Sequence, residues 1–547
     1  MAKIDLITTY HPSSSNVLKT STNQLVTKPS FMSCEMTETT RSIKSMNASP
    51  AQLRLTECVN QTAMNVFDIT ANKIYQYGVD TLSSVTTVLN NNPTHEFDIV
   101  FGSESSVTAI PVNQFKNYKN IRNVTLSDAV DRIGNYAFQN ASVKTIEIPS
   151  GVSSIGTGAF EITDANEPTL ESVVIDGVAT IPNMCFHGQA NLKTVKIHPT
   201  VSSIGGSAFN GCTSIETLII PASVKTILDD AFKYITGTIY IHNKENAITG
   251  APWGATDATI VYCDIDDTKV NVIDMATNEF TTYSTCEAAC EYIVENADHE
   301  FEFIFGDECG ITSVNENSDD GLIKRWLGAT DNIVYIKFGS SITGVLGNSY
   351  MRDHAKLQAV DFAADCGITS IGQAAFERTS IRQITIPDSV ETLTDACFAR
   401  TPLISLTLGA GVETITNGAF EYTVLDSVRI PTSVNEISNS AFGHIQKLTS
   451  ITFTPTSAVT TISTGAFQDT GIETVNVPDS VTTIGDGAFG SCPNLTSITI
   501  GSGIVTMSER AFLNDTALTS ITIDVLEDSV ENAPWGATNA TITWTGD

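Results

Sequence analysis

A small residue followed by Phe recurs along the chain at a near-constant spacing, and this periodicity restricts the fold more than any other feature. The pair stands at Ala137-Phe138, Ala159-Phe160, Cys185-Phe186, Ala208-Phe209 and Ala231-Phe232. It resumes at Ala375-Phe376, Cys397-Phe398, Ala419-Phe420, Ala441-Phe442, Ala466-Phe467, Ala488-Phe489 and Ala511-Phe512. Spacings between the Phe residues are 22, 26, 23 and 23 in the first block, then 22, 22, 22, 25, 22 and 23 in the second. Phe115 and Tyr350, 23 and 26 residues ahead of the next Phe, read as degenerate first members, giving about six coils and then about eight. Periods of this length belong to architectures that stack one small unit on the next.

Within each period the Phe is followed by an alternating apolar hexad, as in Val143, Ile146, Ile148 or Leu495, Ile498, Ile500. Alternation rich in β-branched residues predicts a short strand with one buried face. A Pro or Gly such as Pro149, Pro387, Pro478 or Gly501 ends it. A second apolar pair follows, for example Val152 and Ile155 or Val481 and Ile484. One such unit cannot bury its own apolar face, whereas coils stacked at about 4.8 Å share a continuous core.

The unit at 472–489, with Ile472, Val475, Val477, Pro478, Val481, Ile484, Gly485, Ala488 and Phe489 in order, closely resembles the BspA-type leucine-rich repeat. The Gly-Cys frequent after Phe in that family survives at Gly211-Cys212, becomes Ser491-Cys492, and is lost at Ala399-Arg400. The resemblance covers roughly 105–262 and 335–547. It implies a mostly β, leucine-rich-repeat solenoid, from a family associated with adhesion and with protein or glycan binding at microbial surfaces.

A second duplication surrounds the repeats. THEFDIVFG at 94–102 matches DHEFEFIFG at 298–306, and APWGAT at 251–256 recurs at 533–538. A helix is expected before each leading strand, at 80–90 and 285–296. These pieces read as caps that cover the terminal coils, with Trp253 and Trp535 plugging the last coil of each block. Residues 1–65 differ, being rich in Ser, Thr and Asn with Pro12, Pro29 and Pro50 and no apolar period. Three regions are therefore expected: an extended polar arm over 1–65, a first capped solenoid over 66–264 and a second over 265–547.

Composition narrows the function. The 547 residues carry 61 acidic and 29 basic side chains, a net charge of −32, which argues against nucleic acid, whose binding needs Lys and Arg along the phosphates. Anionic membrane surfaces are disfavoured for the same reason. No apolar run is long enough for a transmembrane helix, and MAKIDLITTYHPSSS lacks the apolar core of a Sec signal peptide. Eleven cysteines are too sparse for a disulfide scaffold, and most are expected to be reduced and buried. There is no H-E-x-x-H and no phosphate-binding Gly loop. His95 and His299 occupy equivalent places in the duplicated module, which favours a structural role. Cys286, Cys290 and Cys309 lack zinc-finger spacing, and Asp266-Asp267 and Asp319-Asp320 lack calcium-loop spacing. No catalytic residue, cofactor or metal site is expected.

The outward face of the longer strands is the informative surface. Its first column is almost entirely Ser and Thr, from Thr145 and Ser172 through Ser497 and Ser520. The second column varies: Glu147, Val174, Lys196, Ile219 and Tyr240 in the first block, and Arg429 and Asn476 among threonines in the second. Mixed aromatic, aliphatic and charged side chains suit a specific contact patch, and an interface between copies of a homo-oligomer would give the same pattern. The expected function is non-enzymatic recognition or adhesion. A protein or glycan binds the strand face, and residues 1–65 join the chain to an assembly partner or sister protomer. A virion fibre or capsid decoration used in host attachment fits this reading. A cell-surface adhesin and an intracellular interaction scaffold are the alternatives.

Overall fold

The computed structural model describes residues 60–71, 73–77, 82–163, 169–309, 332–527 and 529–546. Residues 1–59 of the expected 1–65 arm and the Asp319-Asp320 pair lie outside these residues. The chain divides into two compact units between Tyr262 and Cys263. Among the described residues both are mostly β, each with one short helix.

The repeats fold into a longer and a shorter strand, and within each sheet a strand pairs in parallel with its counterpart one coil on. In the first unit, Thr145–Ile148, Ser172–Ile175 and Thr194–Ile197 form one sheet in strict register. Thr217–Ile220, Thr238–Ile241 and Thr259–Tyr262 form the next. The shorter strands fall into two three-stranded sheets that break between Ser154–Ile155 and Thr180–Ile181. That break coincides with the 26-residue spacing from Phe160 to Phe186. In the second unit the shorter strands run as one continuous eight-stranded sheet from Thr343–Leu346 to Thr506–Met507.

The Phe column is the spine. Phe398 and Phe420 stack with centroids 5.7 Å apart and planes 2° from parallel, and Phe420 and Phe442 are 5.2 Å apart. All three rings are fully buried. Each Phe amide also donates to the carbonyl of the small residue in the next coil, as Phe138 to Ala159 at 2.7 Å and Phe376 to Cys397 at 2.8 Å.

The same bond corrects one assignment. The amide donating to Ala375 belongs to Met351, at 2.6 Å, so Met351 rather than Tyr350 occupies the Phe position of its coil. Tyr350 takes the small-residue place, and the first stacked pair of that column is Phe376 with Phe398.

The leading caps are larger than the repeated HEF strands suggest. In the first unit an antiparallel hairpin, Met64–Asp68 with Lys73–Tyr77, precedes the helix Leu82–Asn91. Met64–Asp68 also pairs antiparallel with Phe97–Phe101, which pairs in parallel with the coil strand Ile121–Thr125. The second unit repeats this with Val270–Asp274, Phe280–Tyr283, the helix Cys286–Glu295 and Phe301–Phe305. The first hairpin begins inside the 1–65 segment. Asn65 and Asn271 are fully buried and serve each hairpin alike: Asn271 Oδ1 accepts from Asp266 N at 2.9 Å while Nδ2 donates to the carbonyls of Asp266 and Lys269.

At the far end of each unit a buried Trp closes the column. Phe232 N donates to Trp253 O and Phe512 N to Trp535 O, in place of the small residue's carbonyl. Both indoles donate inward, Trp253 Nε1 to Thr249 O at 2.8 Å and Trp535 Nε1 to Glu531 O at 2.7 Å.

Candidate functional site: the outward strand face

Parallel, in-register pairing turns strand alternation into columns. On Thr145–Ile148, Ile146 and Ile148 are buried while Thr145 and Glu147 are exposed. Glu147 lies opposite Val174, and Val174 opposite Lys196. On the following sheet Ile219 lies opposite Tyr240, and Tyr240 opposite Val261. Glu147 and Lys196 are exposed; Val174, Ile219 and Tyr240 are half-buried. The five residues singled out in this unit thus fall in two rows, one of Glu147, Val174 and Lys196 and, on the next sheet, one of Ile219 and Tyr240. Val261 extends the second row at 39% exposure. It escaped notice because its strand follows the Trp cap and lies outside the Phe-based repeat.

Arg429 and Asn476 are both exposed, in the second unit. Arg429 lies opposite Thr452, and Asn476 opposite Thr499 in a row that continues through Thr522 and Thr543. The seven residues therefore form two groups, one in each unit. In the second unit Lys337 lies opposite Asp361, on coils that lack the Ala-Phe signature and so stand outside the repeat pattern of the sequence. Beside them Tyr335 is buried, and its hydroxyl donates to Asp361 Oδ2 at 2.7 Å. Burial and the adjacent Asp361 carboxylate both raise the Tyr335 phenol.

The remaining chemistry-bearing side chains are held for structure. His95 Nδ1 meets Asp68 Oδ2 at 2.7 Å, and His299 Nδ1 meets Asp274 Oδ2 at 2.6 Å, with both carboxylates buried at the hairpin ends. Asp266 Oδ1 accepts from the amide and hydroxyl of Thr268, a turn. The nine described cysteines are free thiols, eight of them buried. Burial pushes the Cys290 and Cys492 thiols up to about 12, so neither is a thiolate near neutral pH. Among the described residues no three of His, Cys, Asp and Glu converge to hold a metal ion, and no helix is long and apolar enough to cross a membrane.

No curated protein matches the chain. Among solved structures it is similar to a leucine-rich repeat protein from Bacteroides ovatus, at 19% identity over 83% of this chain and 95% of that one, with a TM-score of 0.28. A leucine rich cell surface protein from Faecalibacterium prausnitzii matches at 21% identity over 70% and 89%, TM-score 0.26. A leucine-rich repeat protein from Eubacterium ventriosum matches at 16% over 73% and 89%, TM-score 0.30. The family model for the BspA type leucine rich repeat region matches in six copies, over residues 108–239, 324–426 and 413–533. Those segments span more than half of the chain and contain the Phe spine, so the chain belongs to the BspA type leucine rich repeat family.

Proposed function

We propose that this is a non-enzymatic recognition or adhesion protein that binds a macromolecule, foremost a protein, through the outward strand face of its first unit. The observation that carries this reading is the pair of rows Glu147, Val174, Lys196 and Ile219, Tyr240, Val261 on successive sheets. Neighbouring coils there present charge of both signs, aliphatic surface and an aromatic ring, flanked by small hydroxyl side chains. A face built only to keep a sheet soluble needs none of that variety, as the Thr499, Thr522, Thr543 row shows. Side chains on rigid, laddered strands lose little entropy on binding. Arg429 and Asn476 are a lesser contact point in the second unit.

In this proposal the solenoids are displayed on a larger assembly, a virion fibre or capsid decoration, with residues 1–59, the part of the 1–65 segment ahead of the cap hairpin, as the attachment arm. The polar, aperiodic composition of that segment supports an arm. The test uses the full chain in a native preparation, with Lys196→Glu and Tyr240→Ala in the first-unit face and deletion of 1–59 in the arm. Loss of ligand capture by the face variants, with assembly intact, is the expected result. Loss of assembly by the deletion, with the solenoids still folded, supports the arm. Unchanged capture by both face variants contradicts the binding assignment.

A further inference from the structure

The turn after each Phe carries a second column, two residues beyond the ring, that lies apart from the strand face. Its amide donates to the next coil's carbonyl: Arg378 to Ala399, Arg400 to Glu421, Tyr422 to Gly443 and His444 to Gln468. All four residues have left-handed backbone, with φ of 58°, 60°, 59° and 61°. That conformation favours Gly and Asn. The first unit uses those residues at four of the equivalent places, where Asn117, Asn140, Gly188 and Gly211 make the same bonds, with Ile162 and Tyr234 at two others. The second unit holds two Arg, a Tyr and a His at this place in consecutive coils, against that preference.

The side chains form one stack. The Arg400 guanidinium lies 4.4 Å above the Tyr422 ring, and Tyr422 stacks on His444 at 4.6 Å and 7°. His444 is fixed in turn by Asp469 Oδ2 at 3.1 Å from Nδ1, with Glu421 Oε1 3.9 Å from Nε2. Arg378, one coil before, is paired with Asp353 at 3.3 Å. Arg400 is not: among the described residues its guanidinium meets no carboxylate, in a chain with 61 acidic and 29 basic side chains. Tyr422 is 42% exposed at its edge.

We infer that Arg400, held flat by Tyr422, is a receptor for a carboxylate on an acidic segment of a partner polypeptide. A guanidinium stacked on an aromatic ring keeps its planar N–H fork free and pre-oriented for two-point contact with a carboxylate. The stack also selects the class of partner. Both faces of Tyr422 are covered, by Arg400 and by His444, so no aromatic face remains for the apolar side of a sugar ring. The site is separate from the first-unit strand face, and failure of either leaves the other standing.

The test selects a displayed random peptide library on the full chain and measures the affinity of the recovered peptides. Recovered peptides carry Asp or Glu, and their affinity falls about tenfold or more with Arg400→Gln. Tyr422→Asn, which suits the left-handed turn but removes the platform, lowers it less. Arg510→Gln, on an exposed Arg beside Asp486, leaves it unchanged. Peptides without acidic residues, or equal binding to the Arg400→Gln chain, would overturn the inference. So would polygalacturonate bound through Arg400 more tightly than the peptides.

Discussion

His299 Nδ1 and Asp274 Oδ2 lie 2.6 Å apart, the imidazole partly exposed and the carboxylate buried, and the pair ties the leading hairpin of the second unit to the strand that starts its solenoid. The hydrogen bond to Asp274 raises the His299 imidazole above its ordinary value of 6.5. Burial alone would raise the Asp274 carboxyl, but hydrogen bonds from His299 and from the amides of Thr277 and Ala276 hold it below its ordinary 3.8. The His299 contribution is complete below its unfolded value and is lost as pH rises through the raised one. The Asp274 contribution is complete above its unfolded value and is lost as pH falls through the lowered one. Amide exchange of Val270–Asp274 and Phe280–Tyr283 should therefore be slowest relative to intrinsic rates between about pH 4 and 6.5. His299→Gln should remove the alkaline loss of protection.

Asp515 is a second titrating group with the opposite effect. It stands three residues after Phe512, the place where Thr379, Thr401 and Thr470 each donate a hydroxyl hydrogen bond to the carbonyl of their own Phe. Asp515 Oδ1 accepts from Cys492 N at 2.7 Å, while Oδ2 is buried without a partner. Burial pushes this carboxyl up to about 7. The unfolded chain gives up that proton at lower pH, so stability falls as pH rises from the ordinary carboxylate range to about 7 and then levels off. Asp515→Thr should stabilise the chain at pH 8 by about 2–4 kcal/mol in denaturant unfolding and by much less at pH 4.

The Phe spine predicts an asymmetry between inside and outside. Phe420→Ala removes a fully buried ring stacked on both neighbours and should cost about 3–5 kcal/mol. Thr407→Ala, on the exposed side of Ser405–Thr407, should change stability by no more than about 0.5 kcal/mol. Equal losses in denaturant unfolding would contradict the assignment of faces.

These contrasts also explain how much was legible beforehand. The spine was visible because a ring stacked on its own image tolerates little besides Phe, and the strands because one buried face enforces alternation. The hairpin strand Met64–Asp68 was hidden because all five of its residues are buried, Asn65 and Asp68 included, so it has neither alternation nor an apolar run. Its duplication survives as Asn65-Val66-Phe67-Asp68 against Asn271-Val272-Ile273-Asp274, a signal short enough to miss. Met351 was misassigned because an aromatic neighbour, Tyr350, stood beside a non-aromatic occupant of the Phe place. The strand-face rows could be read from alternation alone. The Arg400 stack could not, because it depends on a left-handed turn that the side chains themselves do not favour.

The central claim is that the first-unit strand face meets another macromolecule, and photocrosslinking from that face tests it most directly. A benzoylphenylalanine at position 240 in the full chain, irradiated in a native preparation, should give adducts with a polypeptide other than this chain. The same probe at position 522, in the uniform Thr row, should give few or none. Equal adducts from both positions, or adducts from position 240 only to further copies of this chain, would contradict the account.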